Sequence, residues 1–151
     1  MLLLPERVMH LWTGTDGPDY DRACAINDYL GVVVVGDEEG LVINDEPAST
    51  AIFSAREGDS VVIAKWTYGP DATSVARSLQ DVQFRAFPPP DVRMTFGSSP
   101  QILFESSFAG SECIRSRTAC LRPGRYAAST LTFEPATDIA LVLHWLRPTQ
   151  E

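Results

Sequence analysis

The hydrophobic positions of this chain recur at period two or in short unbroken runs, cut at intervals by glycine and proline. That is the pattern of strands, not of long helices. Residues 7–12 read as a first short strand, closed by the turn-rich stretch 13–18. Residues 19–28 set Tyr20, Ala23 and Cys24 on one helical face, with Asp16 or Asp19 available as an N-cap. The clearest element is the β-branched run 30–35 with its return at 41–43. Between them Gly36-Asp37-Glu38-Glu39-Gly40 reads as a five-residue hairpin loop with three acids at its tip. Asp45-Glu46-Pro47 ends the return strand, because proline cannot donate to a ladder.

Residues 51–54 form a brief extended piece, and 60–68 a strand. On that strand Val62, Ala64, Trp66 and Tyr68 make the expected core face, with Trp66 as anchor, opposite Val61, Ile63, Lys65 and Thr67. Pro70-Asp71 opens the best helix, in which Ala72, Val75, Ala76 and Leu79 follow an i, i+3, i+4, i+7 spacing. Beyond the triple proline 88–90, residues 92–96 and 101–105 read as a second hairpin around 97–100. Residues 126–133 and 139–146 read as a third. Many strands that do not alternate with helices imply an α+β, β-rich fold of mainly antiparallel sheets, two packed on each other, with one or two short helices. The length of 151 residues fits a single domain spanning 1–151.

Charge changes the picture more than composition does. The net charge is −8. Residues 1–50 hold ten acids and two bases, whereas 51–151 hold ten of each, so the whole imbalance lies in the first third. Such a chain repels phosphate backbones and anionic headgroups, which argues against nucleic acid and membrane surfaces as partners. Its longest apolar run is far shorter than a membrane span, and residues 1–10 lack the basic start and cleavage site of an export signal. Three cysteines, Cys24, Cys113 and Cys120, then read as reduced, half-buried thiols of a cytoplasmic protein.

Catalytic chemistry is sparse. His144 sits in an apolar run and reads as a core residue; His10 has no acid or thiol beside it in sequence. Cys24 becomes a nucleophile only if the fold brings a histidine to it. Cys113 and Cys120 are too far apart for a paired zinc motif, Asp19 and Asp21 lack the rest of a calcium loop, and the acids between Gly36 and Gly40 would repel a phosphate. No cofactor or metal is expected, and the residue types favour a binding module over an enzyme.

The stretch 19–50 resembles the immunity protein 21 family of bacterial polymorphic toxin systems. The likeness is carried by residues 19–24, Tyr29-Leu30-Gly31-Val32, the Val35-Gly36 corner, and Leu41-Val42 followed by Asp45-Glu46-Pro47. It continues through Lys65-Trp66-Thr67-Tyr68, then Leu121, Pro123, Gly124 and Tyr126, and finally Leu141-Val142-Leu143-His144. The resemblance implies a non-catalytic cytoplasmic antidote that binds a cognate toxin, and a further strand ahead of the Leu-Leu-Pro segment that this sequence does not show. A toxin with a basic active-site cleft would be met by acids that loops present outward. The expected contact residues are Asp16, Asp19, Asp21, Asp37, Glu38, Glu39, Asp45 and Glu46, and lysine at 37, 38 and 39 together is expected to slow association with the toxin and weaken its salt dependence. The other reading is a structural or regulatory interaction domain unrelated to toxins.

Overall fold

In the computed structural model two five-stranded antiparallel sheets pack face to face. Residues 1–44, 49–54, 59–69, 71–113 and 115–149 are described, the side chain of Thr67 excepted. The first sheet is built from β1 (Leu2–Pro5), β2 (Leu30–Val35), β3 (Glu38–Ile43), β7 (Gln101–Phe104) and β8 (Ser116–Ala119), in the order β2-β3-β1-β7-β8. The second holds β4 (Ser49–Ser54), β5 (Val61–Tyr68), β6 (Val92–Phe96), β9 (Gly124–Ala136) and β10 (Ile139–Pro148), in the order β4-β5-β10-β9-β6. The β-rich α+β expectation therefore holds, with helices α1 (Pro18–Cys24) and α2 (Ala72–Ser78) both short.

Three apolar layers follow from the alternation of side chains. Leu3, Leu41, Ile43 and Leu103 meet Ile63, Met94, Tyr126 and Leu146 between the sheets. On the outside of the first sheet, Leu2, Leu4, Val33, Val42 and Phe104 pack under Val8, Trp12 and Ala23. Val62, Ala64, Leu141, Leu143 and Trp145 on the outside of the second sheet are covered by Val75 of α2 and by Phe84 and Phe87. Each fully buried aliphatic side chain contributes roughly 1.5–3 kcal/mol, so strands covered on both faces are the anchors of the fold.

That double coverage explains several departures from the sequence reading. The first strand is Leu2–Pro5, and residues 6–11 wind into a 3₁₀ segment instead of a strand. β1 lies at the centre of its sheet between β3 and β7, so Leu2, Leu3 and Leu4 are all fully buried and show no alternation to read. β5 likewise buries both faces: Val61 and Ile63 enter the inter-sheet core, Lys65 is buried beside them, and Trp66 on the expected core face is only half-buried. Helix α1 is entered through Gly17 with Pro18 in its first turn, so Asp16 and Asp19 are not its N-cap; Asp19 and Asp21 instead place negative charge in that turn. Asp71 does cap α2, its Oδ1 accepting from Ser74 N at 2.8 Å. Pro70, like the strand end at Asp45-Glu46-Pro47, lies outside the described residues.

Two connections differ in kind. The β2–β3 loop has two residues, not five: Val35 pairs with Glu38, and Gly36 takes the positive φ (63°) that a tight hairpin turn requires. Residues 92–96 and 101–104 are not a hairpin, because β6 pairs with β9 while β7 pairs with β1 and β8. The segment 97–100 carries the chain from one sheet to the other. The β9–β10 hairpin is present as expected, with nine cross-strand partners from Ile139 to Pro148.

Candidate protein-binding surface

The described acids of the first third differ in burial and in partners. Glu38 lies inside β3 and is 4% exposed. Its carboxylate accepts from Arg7 Nη2 at 2.9 Å, from Gly97 N at 2.8 Å and from Ser98 Oγ at 2.8 Å. Burial pushes its pKa up, but the bonds from Arg7, Ser98 and Gly97 outweigh that and hold it below the ordinary glutamate value. Glu39 is half-buried, and its Oε2 accepts from Thr95 N of β6. Both carboxylates thus tie β3 to β6 and to the crossover after it: Glu38, expected as a partner contact, is buried as a staple between the sheets, and Glu39 is half-buried with one oxygen engaged. Lysine at all three tip positions would remove those ties, so that triple replacement tests folding and not binding.

Asp37 does stand at the turn, its side chain 73% exposed, with Arg7 Nη2 at 2.7 Å from Oδ1. That hydrogen bond lowers the Asp37 pKa, and the bonds to Glu38 and Asp37 raise that of Arg7. On α1, Arg22 Nη2 donates to Asp19 Oδ1 and, at 2.9 Å, to the Val34 carbonyl of β2. Asp16 and Asp21 are exposed on the 3₁₀ segment 14–16 and on α1. Asp45 and Glu46 lie outside the described residues. Arg7 and Arg22, the only arginines or lysines among residues 1–50, thus pair with Asp37, Glu38 and Asp19. Apolar neighbours were the part missed: Leu11 and Val34 are 43% and 51% exposed, and Leu11 leans on the Gly36 turn.

Cys24 and Cys120 are exposed and Cys113 half-buried, all three free, so two of them are not the semi-buried hydrophobes expected. Cys24 borders a cleft of about 230 Å³ whose lining includes Tyr20, Asn44 and Glu105 and neither histidine. His144 is fully buried in β10, with Nδ1 at 3.1 Å from Thr130 Oγ1. Among the described residues no group of histidine, cysteine and carboxylate side chains is placed to hold a metal ion.

The antiparallel sandwich thus exposes Asp37 and Val34 on the β2–β3 hairpin, and Leu11 against its turn. The family model for immunity protein 21 matches residues 1–138, and the chain belongs to that family. No curated protein matches it, and no solved structure does. No helix among the described residues is long and apolar enough to cross a membrane.

Proposed function

We propose that this protein is a cytoplasmic, non-catalytic antidote that binds and neutralises a cognate bacterial polymorphic toxin. Membership of the immunity protein 21 family over residues 1–138 is the observation that carries the reading. Exposed Asp16 and Asp21, with Asp19 and Asp37 on their arginine partners, form the rim of the contact around Leu11 and Val34. Asp45 and Glu46 stay in the proposal on sequence grounds, and a toxin with a basic active-site cleft is the partner such a rim would steer. Rim charges act mainly on association, so Asp16→Lys with Asp21→Lys should slow binding by about tenfold at low salt and flatten its salt dependence. The test is association kinetics against the toxin encoded beside this chain, together with protection of cells that express it. Protection by the wild type with unchanged kinetics in the double variant refutes the rim. Failure of the wild type to bind or protect refutes the antidote reading.

A further inference from the structure

Strand register leaves the β2 edge of the first sheet open. β2 is the end strand of that sheet, with β3 as its neighbour. In an antiparallel pair, successive residues turn their N–H and C=O groups alternately toward the neighbouring strand and away from it. Hydrogen bonds at both ends of β2 fix which residues do which. Tyr29 O accepts from Asn44 N at 2.9 Å, so the residue before the strand faces β3. Ile43, opposite Leu30, instead spends its backbone groups on Met1, at 2.9 Å and 2.8 Å. Val34 O is turned away from β3, because it accepts from Arg22 Nη2 of α1 at 2.9 Å. Gly31, Val33 and Val35 therefore carry the ladder to β3, and Leu30, Val32 and Val34 direct their backbone groups outward. Apart from the Val34 carbonyl, those outward groups have no hydrogen-bond partner among the described residues.

A row of unpaired N–H and C=O groups invites another strand, and most proteins blunt such edges. Two other edges here are blunted. On β6 the Thr95 N–H is given to Glu39 Oε2, and β8 has only four residues and carries the exposed Arg117. β2 has six residues, Leu-Gly-Val-Val-Val-Val, without proline or charge. Val33 and Val35 are buried with Ala23 of α1, which holds the strand in place. Val32 is half-buried against the inter-sheet core, and Val34, on the same side, is 51% exposed. Asp28 and Asp37, two residues beyond either end of the strand, are both exposed. Arg22 and Arg7 are already engaged, with Asp19 and with Asp37 and Glu38.

We infer that the toxin adds an extended segment to the β2 edge, with apolar side chains over Val32 and Val34 and basic residues toward Asp28 and Asp37. Built on the antidote reading, this contact gives the rim around Leu11 and Val34 a main-chain component. Six residues of strand span about 20 Å, and Leu30, Val32 and Val34 each offer an N–H and a C=O. In strand addition the main-chain bonds supply affinity, and alternate side chains select the segment. Charge separates a basic segment from a second copy of this chain. Antiparallel pairing of two β2 strands about Val32 would set Asp28 of each copy beside Asp37 of the other, and like charges oppose that.

The test is amide hydrogen exchange, read by NMR on the intact chain, alone and with the toxin encoded beside it. In the unbound chain the Val32 and Val34 amides should exchange about tenfold or more faster than those of Val33 and Val35. The toxin should slow them by about tenfold or more. Val34→Pro removes one outward N–H and leaves the ladder to β3 intact. Val34→Ala trims the same side chain and keeps that N–H, so the proline variant should bind toxin about tenfold more weakly than the alanine one. Urea unfolding of each variant checks that it is folded. Slow exchange at Val32 and Val34 in the unbound chain, or unchanged exchange in the complex, overturns the inference. So does equal binding by the two Val34 variants. Those results leave the antidote reading standing, whereas a wild type that neither binds the toxin nor protects against it removes both. Dimerisation on concentration, seen by sedimentation together with protection of these two amides in the absence of toxin, would give the edge to a second copy and overturn the assignment.

Discussion

Glu38 and Asp37 are adjacent, share one arginine, and should behave in opposite ways. Replacing Glu38 by alanine leaves Gly97 N–H and Ser98 O–H without their acceptor and strips Arg7 of its buried partner. A buried donor without an acceptor costs about 1–3 kcal/mol, whereas Arg7 is 52% exposed and water replaces its lost partner. The two donors share one site, so about 2–3 kcal/mol is expected for Glu38→Ala and about 1 kcal/mol for Glu38→Gln, whose amide oxygen still accepts from one donor. Asp37→Ala should leave the urea midpoint within error, because its pair with Arg7 is solvent-screened. The assay is urea denaturation at neutral pH, with the slope compared across variants to confirm that the same surface unfolds. Acid supplies a second reading. Glu38 has a lowered folded pKa, so its stabilisation is fully present above the unfolded glutamate value and is lost as pH falls through the folded value. The gap between wild type and Glu38→Gln should therefore narrow on acidification. A Glu38→Ala protein within about 0.5 kcal/mol of wild type would refute the staple.

Other expectations follow from single contacts. Asp71→Ala removes the acceptor for Ser74 N at the start of α2 and should lower Tm by roughly 2–4 °C, read by thermal circular dichroism. Gly110→Ala would bring a Cβ to 1.9 Å from the Met9 carbonyl oxygen, next to the Gly110 N bond to Trp12 O at 2.8 Å. Backbone must move there, and a loss of about 2 kcal/mol or more in urea is expected; a neutral variant would show that the 3₁₀ segment 6–11 yields freely. Cys24 and Cys120 should react with an aromatic disulfide reagent in the native state well before Cys113, and equal rates would contradict their different exposure.

Much of the fold was legible because it depends on neighbours in sequence. The β-branched run of β2 excludes helix within a few residues, Asp71 meets its own helix three residues on, and β9 and β10 are joined by a short turn. The apolar setting of His144 correctly put it in the core. The family motifs in the first third were visible for the same local reason. What the sequence could not show is where each charged side chain ends. Asp37, Glu38 and Glu39 look alike in a row, yet one faces water, one is buried under Gly97 fifty-nine residues away, and one caps the edge of β6. Leu2 to Leu4 carry no alternation because both faces of a central strand are covered, and residues 92–104 look like a hairpin whichever sheet takes each strand. Which backbone groups of β2 turn outward is set only by strand pairing. Sequence by itself determined most of the strand segments, the family and the sign of the charge. Tertiary structure decided which charges are spent holding the sheets together and which remain to meet a partner, because long-range pairing sets the neighbours of every side chain and burial sets the strength of each contact.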